Sequence, residues 1–452
     1  MMTKRTKQYD LIVVGGGIAG TMAAVAAARH GTEVLLVEET GCLGGSLTSC
    51  GTGPMMTFHA GDTQVVQGLP EELISRLKKK GLSPGHVVDS TGYTYTVTPF
   101  DVEGMKHELE LMAQEAGVTI LFHTVLEDAV INESRLRAVR LISCGGTFIV
   151  EARCFVDATG DADLLYRAGI PCRQGRESDG KDQPMTMNFR MDHVDIAEVR
   201  RLMETDVELF PLLAPKAGLQ RKASRLSCFG FMDLMSEGMA GKEFTFDRDI
   251  VLFFETNAEG EVIVNMTRVN DKNPVDPYAL SLAELEGRRQ VWELCSFLKR
   301  KVPGFANARL ISSGPNIGVR SSRRMCGVYS LTAADVLSQR RFLDAVVCCG
   351  YPIDVHSPDG AKTNSRFLPD GAWYTIPYRC LINKDIPNLM AAGRNVSCDF
   401  DAHASLRVSP CCAALGQAAG TAASLAVRTG CDPLQLDAGA IRKELKQDGA
   451  FL

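Results

Sequence analysis

Three glycines near the start of the chain constrain its fold more strongly than any other feature of the sequence. Gly15, Gly17 and Gly20 follow an apolar run at residues 9–14 and precede an alanine-rich stretch at residues 21–29. This order predicts a buried strand, a tight turn and a helix. Glycines at such a turn allow backbone angles and close packing that a side chain would prevent.

The next apolar run gives this glycine motif a chemical meaning. Residues 32–37 predict a second buried strand that ends at Glu38, so that a βαβ unit is complete within about 30 residues. In such a unit Gly17 lets the backbone approach a pyrophosphate at the helix N-terminus, and Glu38 accepts hydrogen bonds from ribose hydroxyls. The pattern therefore predicts an adenine dinucleotide site. A purely structural βαβ turn is the alternative.

The middle of the chain predicts a loop, a helix and more strands. Residues 41–61 are rich in glycine, cysteine and methionine without a period, which predicts an ordered loop that crosses a ligand. A helix is predicted at residues 99–117, and a buried strand at residues 155–157 runs into the glycine turn at 158–160. Short strands are predicted between them, at residues 118–125, 128–131, 136–143 and 147–150.

The pattern changes between about residue 175 and residue 304. Apolar and polar residues alternate at 185–191 and at 262–266, which predicts a half-buried antiparallel sheet. We therefore expect an α/β fold with three consecutive parts. Residues 1–175 and 305–452 would form one Rossmann-like domain from both ends of the chain, and residues 176–304 an inserted, mainly antiparallel α+β domain for the substrate.

The last predicted elements are a strand at residues 388–393 and a long helix at residues 409–428. Ser409 is the predicted N-cap of this helix, Pro410 takes its first position, and Gly430 follows its end. Gly393 and Arg394 lie at the end of the strand, where a ligand of the parallel sheet is expected.

Composition excludes several classes of function. The chain has 452 residues, with 49 basic and 54 acidic ones and a net charge of −5, so no general attraction to nucleic acid is expected. The N-terminal apolar run is too short for a signal peptide or a membrane span, which predicts a cytoplasmic protein without a membrane partner. The 15 cysteines form no C-x-x-C pair, so no metal or iron–sulfur site is predicted. Self-association into a homo-oligomer stays open.

The later motifs resemble a known family. The chain has an A-T-G strand end at residues 158–160 and a late A-G-R strand end at residues 392–394. In both respects it resembles the FAD-dependent oxidoreductases with the glutathione-reductase-type nucleotide-binding fold. A narrower branch is indicated by EGRRQ at 286–290, GVRSSRR at 318–324, YPIDVH at 351–356, IPYR at 376–379 and the pattern AGR…H…RV…ALGQAAGTAA at 392–423.

This resemblance implies FAD as the cofactor of the discontinuous Rossmann-like domain. A helix N-terminus near the flavin would stabilise the negative charge of its reduced form, and the segment that begins at Ser409 supplies one. The predicted FAD-binding residues are Gly15, Gly17, Ile18, Ala19, Gly20, Glu38, Glu39, Gly44, Gly45, Ser46, Ala158, Thr159, Gly160, Gly393, Arg394, Ser409, Cys411 and Cys412.

Four residues are predicted to act on the substrate. His403 and Arg407 precede the last long helix at a spacing of four, next to the predicted flavin. A histidine can move a proton and an arginine can hold an oxyanion. For His403 the alternative is a surface or core histidine whose ring is satisfied by the backbone. His59 ends the glycine-rich loop, and Tyr374 precedes the IPYR motif. His356 is a weaker candidate. The arginines at 320, 323 and 324 form a predicted cationic cluster, for which a solvated surface is the alternative.

Three functions compete at this point. The first is an FAD-dependent dehydrogenase or reductase that exchanges a hydride between flavin N5 and a small polar substrate. The second is a flavin subunit that passes electrons to a partner protein and binds no small substrate. The third, a flavin-dependent protein that modifies RNA, is disfavoured by the net charge of −5.

Overall fold

The computed structural model describes residues 8–216 and 218–452. Its helices alternate with strands in the first and last thirds of the chain, as the βαβ pattern predicts. The α-helices are α1 Ile18–Arg29, α2 Leu69–Lys79, α3 Val102–Glu115, α4 Asp163–Arg167, α5 Ile196–Thr205, α6 Leu219–Lys222, α7 Met232–Ala240, α8 Pro277–Lys301, α9 Ala333–Leu337, α10 Phe400–Leu406, α11 Ser409–Thr429 and α12 Ala438–Gln447.

The strands form one large mixed sheet, one five-stranded antiparallel sheet and several two-stranded pairs. In chain order they are β1 Gln8–Val14, β2 Val34–Val37, β3 His59–Ala60, β4 Thr63–Gln64, β5 Val87–Val88, β6 Thr96–Val97, β7 Thr119–Leu121, β8 Val125–Asn132, β9 Arg135–Ser143, β10 Gly146–Asp157, β11 Cys172–Arg173, β12 Phe189–Asp192, β13 Ser227–Gly230, β14 Val251–Glu255, β15 Val262–Val264, β16 Arg309–Ser313, β17 Arg324–Met325, β18 Ala345–Cys349, β19 Ile353–His356, β20 Thr363–Arg366, β21 Tyr374–Pro377 and β22 Leu389–Ala391.

The large sheet is built from both ends of the chain. Its strands run in the order β7-β2-β1-β10-β9-β8, and β22 pairs with the C-terminal part of β10. The pairings of β1 with β2, of β1 with β10 and of β10 with β22 are parallel, so that these strands end at one edge. The Rossmann-like α/β prediction is thereby confirmed.

Strand β10 differs from its prediction. The two strands expected at residues 147–150 and 155–157 are one strand, Gly146–Asp157. Its first half pairs antiparallel with β9 and its second half parallel with β1. Charged residues such as Glu151 interrupt the apolar pattern because the first half leaves one face exposed to water, whereas the end of the strand is buried on both faces.

Helices α1 and α11 pack against each other through backbone contacts. A Cβ added at Gly416 would lie 2.0 Å from the carbonyl oxygen of Ala19, and one at Gly420 would lie 2.1 Å from that of Ala23. No side chain fits at either position, so these glycines permit the contact. The N-terminal βαβ unit and the C-terminal helix therefore share one core.

The start of α11 is shifted by one residue from its prediction. Val408 is the N-cap and gives no side-chain hydrogen bond, so that Ser409 is the first helical residue and Pro410 the second. The helix ends at Gly430 in the left-handed conformation, as predicted. In length and hydropathy α11 could span a membrane, but 83% of its most apolar window is buried within the protein. It is therefore a core helix.

A second hydrophobic core lies in the middle of the chain. The antiparallel sheet β13-β14-β15-β12-β16 forms it together with helices that include α5 and α8. Strand β12 begins at Phe189, whereas alternation predicts a strand from residue 185; Met185 and Thr186 form only isolated bridges. This core extends from residue 185 to residue 317, and the division at residues 176 and 304 stays a prediction.

Candidate active site

The turn between β1 and α1 is shaped by its glycines. Gly15 has a φ of +99°, and a Cβ there would lie 2.5 Å from the carbonyl oxygen of Ala158, directly after β10. A Cβ at Gly20 would lie 1.8 Å from the carbonyl oxygen of Gly15. At Gly17, the N-cap of α1, an added Cβ would meet only the Cα of Gly45, at 3.9 Å. The turn is thus closed toward β10 and open at the helix N-terminus.

Glu38 is buried at the end of β2 and bound to this turn. Its Oε2 accepts a hydrogen bond from the backbone N–H of Gly16 at 2.7 Å. Its Oε1 accepts hydrogen bonds from the N–H and the hydroxyl of Thr40, at 2.8 and 2.7 Å. A carboxylate has about four acceptor positions, so one is left for a ligand hydroxyl. Glu39, the next predicted residue, is exposed.

The glycine-rich loop after β2 crosses the N-terminus of α1. The N–H of Gly44 donates a hydrogen bond to the carbonyl oxygen of Gly16 at 2.9 Å, and Gly44 forms a bridge with Gly17. A Cβ at Gly45 would lie 2.9 Å from the Cα of Gly17. Ser46 then lines a cavity. The loop therefore connects the helix N-terminus to the cavity, as its predicted role requires.

The ends of β10 and β22 meet beside the same helix. At the end of β10, Asp157 is fully buried, which raises the pKa of its carboxyl to about 6, and it accepts hydrogen bonds from the N–H and hydroxyl of Thr159. Beyond β22, Gly393 has a φ of +94°, and a Cβ there would lie 2.9 Å from the Cβ of Ala19. Ala19 and its neighbour Ile18 are buried.

Arg394 joins these two strand ends. Its guanidinium donates hydrogen bonds to a carboxylate oxygen of Asp161 at 2.7 Å and to the hydroxyl of Ser322 at 2.9 Å. A Cβ at Gly160, where φ is +81°, would lie 2.8 Å from the Nε of Arg394. Arg394 also lines the cavity. The two strand ends thus form one rim of that cavity.

Helix α11 begins at this rim. Val408 and Ser409 line the cavity, and the N-terminus of α11 has no side-chain cap. Its first N–H groups have no partners within the helix, so this end favours negative charge. Cys411 and Cys412 are buried in the helix packing and are not among the residues that line the cavity.

The cavity lies between the two hydrophobic cores and has a volume of about 600 Å³. Ser46, Arg394 and Ser409 line it from the large-sheet side. Residues on or next to the antiparallel sheet, among them Phe254 and Asn265, line it from the opposite side. The arrangement places the predicted cofactor segments and the inserted region on one shared space.

Arg407 is the one of the four predicted catalytic residues that lines this cavity. It follows α10, and its guanidinium donates a hydrogen bond to the carbonyl oxygen of Asp354 at 3.3 Å. His403 lies four residues earlier but is buried behind the cavity wall, with its Nε2 2.9 Å from the carbonyl oxygen of Arg394. Burial and the charge of Arg324 lower the pKa of His403 well below its usual value.

His59 and Tyr374 lie outside the cavity wall, although Tyr374 contacts α10, the helix that carries His403. The Nδ1 of His59 is 3.1 Å from the hydroxyl of Thr96, and burial lowers the pKa of His59 to about 4. The hydroxyl of Tyr374 is 2.8 Å from the hydroxyl of Ser405, in the protein interior. Neither side chain lines the cavity. Their catalytic roles stay predictions.

The predicted arginine cluster divides between two environments. Arg320 is buried and lines the cavity, whereas Arg324 is buried and donates a hydrogen bond to the carbonyl oxygen of Gly175. Arg323 pairs with Asp163 at 2.6 Å. None of the three lies on a solvated surface, because the segment that carries them runs between the two cores.

Sequence reasoning missed other charged residues of the cavity. Arg248 and Asp249 precede β14 in no recognisable motif, and their presence in the cavity wall follows from the fold alone. His356, which the sequence does predict as a weaker candidate, also lines the cavity, together with Asp354, which it does not. The YPIDVH motif gave a signal for them, because a buried strand seldom carries two ionisable residues at alternate positions.

Comparison with known proteins assigns a family. The family model described as FAD dependent oxidoreductase matches residues 10–445. Digeranylgeranylglycerophospholipid reductase 1 of Methanococcoides burtonii is 27% identical over 174 residues, which are 36% of this chain and 40% of that protein. Thiamine thiazole synthase of Aeropyrum pernix is 30% identical over 36% of this chain and 59% of its own length. Glutathione reductase of Schizosaccharomyces pombe is 42% identical over 12% of this chain and 11% of its own length.

These matches are partial in length and diverse in substrate. Each of these relatives is matched over less than two thirds of its length, and their names differ in substrate. Among solved structures, p-nitrophenol 4-monooxygenase from Pseudomonas putida superposes with a TM-score of 0.51 over 99% of this chain and 87% of its own, at 11% identity. That likeness concerns the fold alone.

The residues described above fit FAD. Gly17 leaves the N-terminus of α1 open to a pyrophosphate, and Glu38 has an acceptor position left for a ribose hydroxyl. The uncapped N-terminus of α11 faces the cavity, where a flavin ring that gains negative charge would be stabilised. The family match extends over these segments from end to end. The chain is an FAD-dependent enzyme, a member of the FAD dependent oxidoreductase family.

Proposed function

We propose that this enzyme exchanges a hydride with a small polar substrate that binds in the cavity between its two cores. The observation that carries the proposal is the position of this cavity. Ser46, Arg394 and Ser409 reach it from the segments that fit FAD, while Arg248 and Asn265 reach it from the inserted region. When bound, FAD supplies hydride-transfer chemistry at N5 of its ring system.

The side chains of the cavity define what this chain contributes. Arg407 lies in the wall beside Ser409 and would orient an anionic or carbonyl oxygen of the substrate through its fork of N–H donors. The two cores would exclude water from the reacting atoms. The proton role predicted for His403 stays a prediction, since its ring lies behind the wall.

A two-step experiment tests the proposal. The protein purified without added cofactor is expected to show a flavin absorption spectrum and to release FAD on heating. Anaerobic titration with a panel of metabolites is then expected to bleach the flavin with at least one small compound. If bleaching requires a second protein and no compound suffices, the chain is a flavin electron-transfer subunit and the proposal is wrong.

A further inference from the structure

We propose that the cavity takes an organic anion, whose anionic oxygens bind Arg248, Arg320 and Arg407 and whose apolar body packs against the antiparallel sheet. The inference rests on the proposed function, because it names the class of substrate for the same cavity. It depends on the charges and partners of these residues and requires no particular direction of electron flow.

Arg248 and Arg320 are buried cations in the wall of the cavity. The side chains of Arg248 and Arg320 are 4% and 9% exposed, and both line the cavity. Within the part of the chain that the structure describes, neither guanidinium forms an ion pair within 4.0 Å, and the carboxylates of Asp249 and Asp354 act on them only from a greater distance. Burial of an unpaired charge is costly, so such residues are retained where a ligand neutralises them.

The hydrogen bonds of these arginines confirm that donors are left over. The Nη2 of Arg248 makes one long contact, 3.4 Å to the carbonyl oxygen of Asn265, and its Nε has no hydrogen-bond partner among the described residues. Arg320 donates to the carbonyl oxygen of Pro184 at 2.6 Å and to the side-chain oxygen of Asn265 at 3.3 Å. Because both arginines contact Asn265, their charges lie close enough to act on one ligand.

The third cation extends this cluster toward α11. In residues 8–216 and 218–452 the Nε of Arg407 also has no hydrogen-bond partner, and its Nη2 lies 3.7 Å from a carboxylate oxygen of Asp354. That carboxylate is already engaged, since it accepts hydrogen bonds from the hydroxyls of Tyr93 at 2.8 Å and Tyr351 at 3.2 Å. Asp354 therefore offsets only part of the positive charge of the wall.

Mutual repulsion of these groups favours the binding of an anion between them. Burial and the charges of Arg407, Arg268 and Arg248 lower the pKa of Arg320 well below its usual value. Burial and Arg268 likewise lower the pKa of Arg248 to about 10. An arginine guanidinium keeps its proton at neutral pH, so this wall carries positive charge. A bound carboxylate or phosphate would reverse this repulsion.

The opposite part of the wall is apolar and favours a ligand with an apolar body. Phe229 on β13 pairs with Leu252 on β14, and Phe254 lies two residues further on the same face. All three line the cavity. A small inorganic anion would leave this surface against water, whereas an organic anion with an apolar body covers it.

The arginines are separate from the segments that fit the FAD pyrophosphate. Arg248 lies next to β14 and its partner Asn265 follows β15, in the inserted region. The pyrophosphate segments are the turn at Gly17 and the loop at Gly45, on the large sheet. The cationic wall is thus left for a second ligand.

Calorimetric titration of the FAD-loaded protein tests this inference without turnover. The probes are benzoate, phenyl phosphate and the neutral isostere benzamide. We expect at least one of the anions to bind at least about tenfold more tightly than benzamide, because a buried guanidinium pair discriminates charge strongly. Preference for benzoate identifies a carboxylate substrate, and preference for phenyl phosphate identifies a phosphate ester.

Variants connect that binding to the named residues. Arg248→Gln and Arg320→Gln are each expected to weaken anion binding at least about tenfold. The control is the exposed Arg309→Gln, which removes an ion pair with Asp192 on the same sheet. This control is expected to leave anion binding unchanged. Arg248→Met is also expected to raise the melting temperature of the ligand-free protein, since it removes an unpaired buried charge.

Three results would overturn the inference. These are an affinity for both benzoate and phenyl phosphate that is no higher than that for benzamide, unchanged anion affinity in Arg248→Gln and Arg320→Gln, or a lower melting temperature in Arg248→Met. The proposed function fails separately: if the anions bind as expected but no metabolite bleaches the flavin, hydride exchange is wrong. If a neutral metabolite bleaches it and the anions do not bind, only the inference is wrong.

Discussion

The Nε2–H of His403 donates a hydrogen bond to the carbonyl oxygen of Arg394, across a distance of 2.9 Å. Because a carbonyl only accepts, the neutral ring has its lone pair on Nδ1, and Nδ1 has no partner in the part of the chain that the structure describes. Arg394 in turn lines the cavity and binds Asp161. The histidine therefore holds the backbone of a cavity residue in place.

Two variants of His403 separate positioning from proton transfer. Glutamine keeps a donor for the carbonyl oxygen of Arg394, so we expect His403→Gln to retain FAD and to keep turnover within about tenfold. His403→Ala is expected to lower turnover more strongly and to change the visible spectrum of the bound flavin. Steady-state kinetics and spectra measure this, with the exposed His107→Gln as the control. If both variants lose about 10²–10⁴-fold in turnover and retain FAD, His403 moves a proton.

Removal of the Glu38 carboxylate is expected to weaken FAD binding and the turn together. Glu38→Ala removes charge-assisted hydrogen bonds worth about 1.5–3 kcal/mol to a ribose and leaves the N–H of Gly16 without its acceptor. FAD affinity, measured by flavin fluorescence, should fall by roughly 10- to 100-fold. The control is Glu33→Ala, which changes an exposed carboxylate directly before β2. Unchanged retention would contradict the dinucleotide role of Glu38.

The contact between α1 and α11 predicts large effects for single methyl groups. Gly416→Ala and Gly420→Ala place a Cβ about 2 Å from backbone carbonyl oxygens, so one helix must move. We expect the free energy of unfolding to fall by about 1–3 kcal/mol or more in each variant. Chemical denaturation measures it. Gly145→Ala, whose Cβ would meet only a side-chain oxygen at 3.7 Å, should be near neutral.

His356 predicts a pH dependence of stability. Burial and the charge of Arg320 lower its pKa from 6.5 to about 3, so below pH 6.5 the unfolded chain binds a proton that the folded one does not. The contribution of His356 to the free energy of unfolding is therefore complete above pH 6.5 and is lost as the pH falls toward 3. Between pH 7 and pH 5, His356→Gln should therefore lose about 2 kcal/mol less stability than the parent. Denaturant titrations at both pH values measure this loss. If the parent and His356→Gln lose the same free energy of unfolding, the prediction is wrong.

Sequence alone predicts the parts of the molecule whose geometry is local. The strand, turn and helix around Gly17 follow from spacing because a βαβ unit closes within one short stretch of chain. The end of α11 at Gly430 follows from a single left-handed residue. The cavity does not follow in this way. Arg248 and Arg407 are far apart in sequence, and only the packing of two cores makes them neighbours.

Burial also decides the roles that the sequence leaves open. His403 and Arg407 have the spacing that predicts a pair on one helix face, and both do lie at α10. Their exposure to the cavity differs because Arg407 follows the last helical residue, whereas His403 lies within the helix against Arg394. Spacing alone cannot distinguish these two positions.

The backbone contact of α1 with α11 determines when the chain can fold during its synthesis. Almost the whole protein must leave the ribosome before Gly416 can meet Ala19, which takes roughly 20–80 s at about 5–20 residues per second. For that time the apolar face of the first βαβ unit lacks its C-terminal cover, and closure of so long a loop makes the contact slow to form. The nascent chain is therefore expected to need chaperone protection until α11 is released.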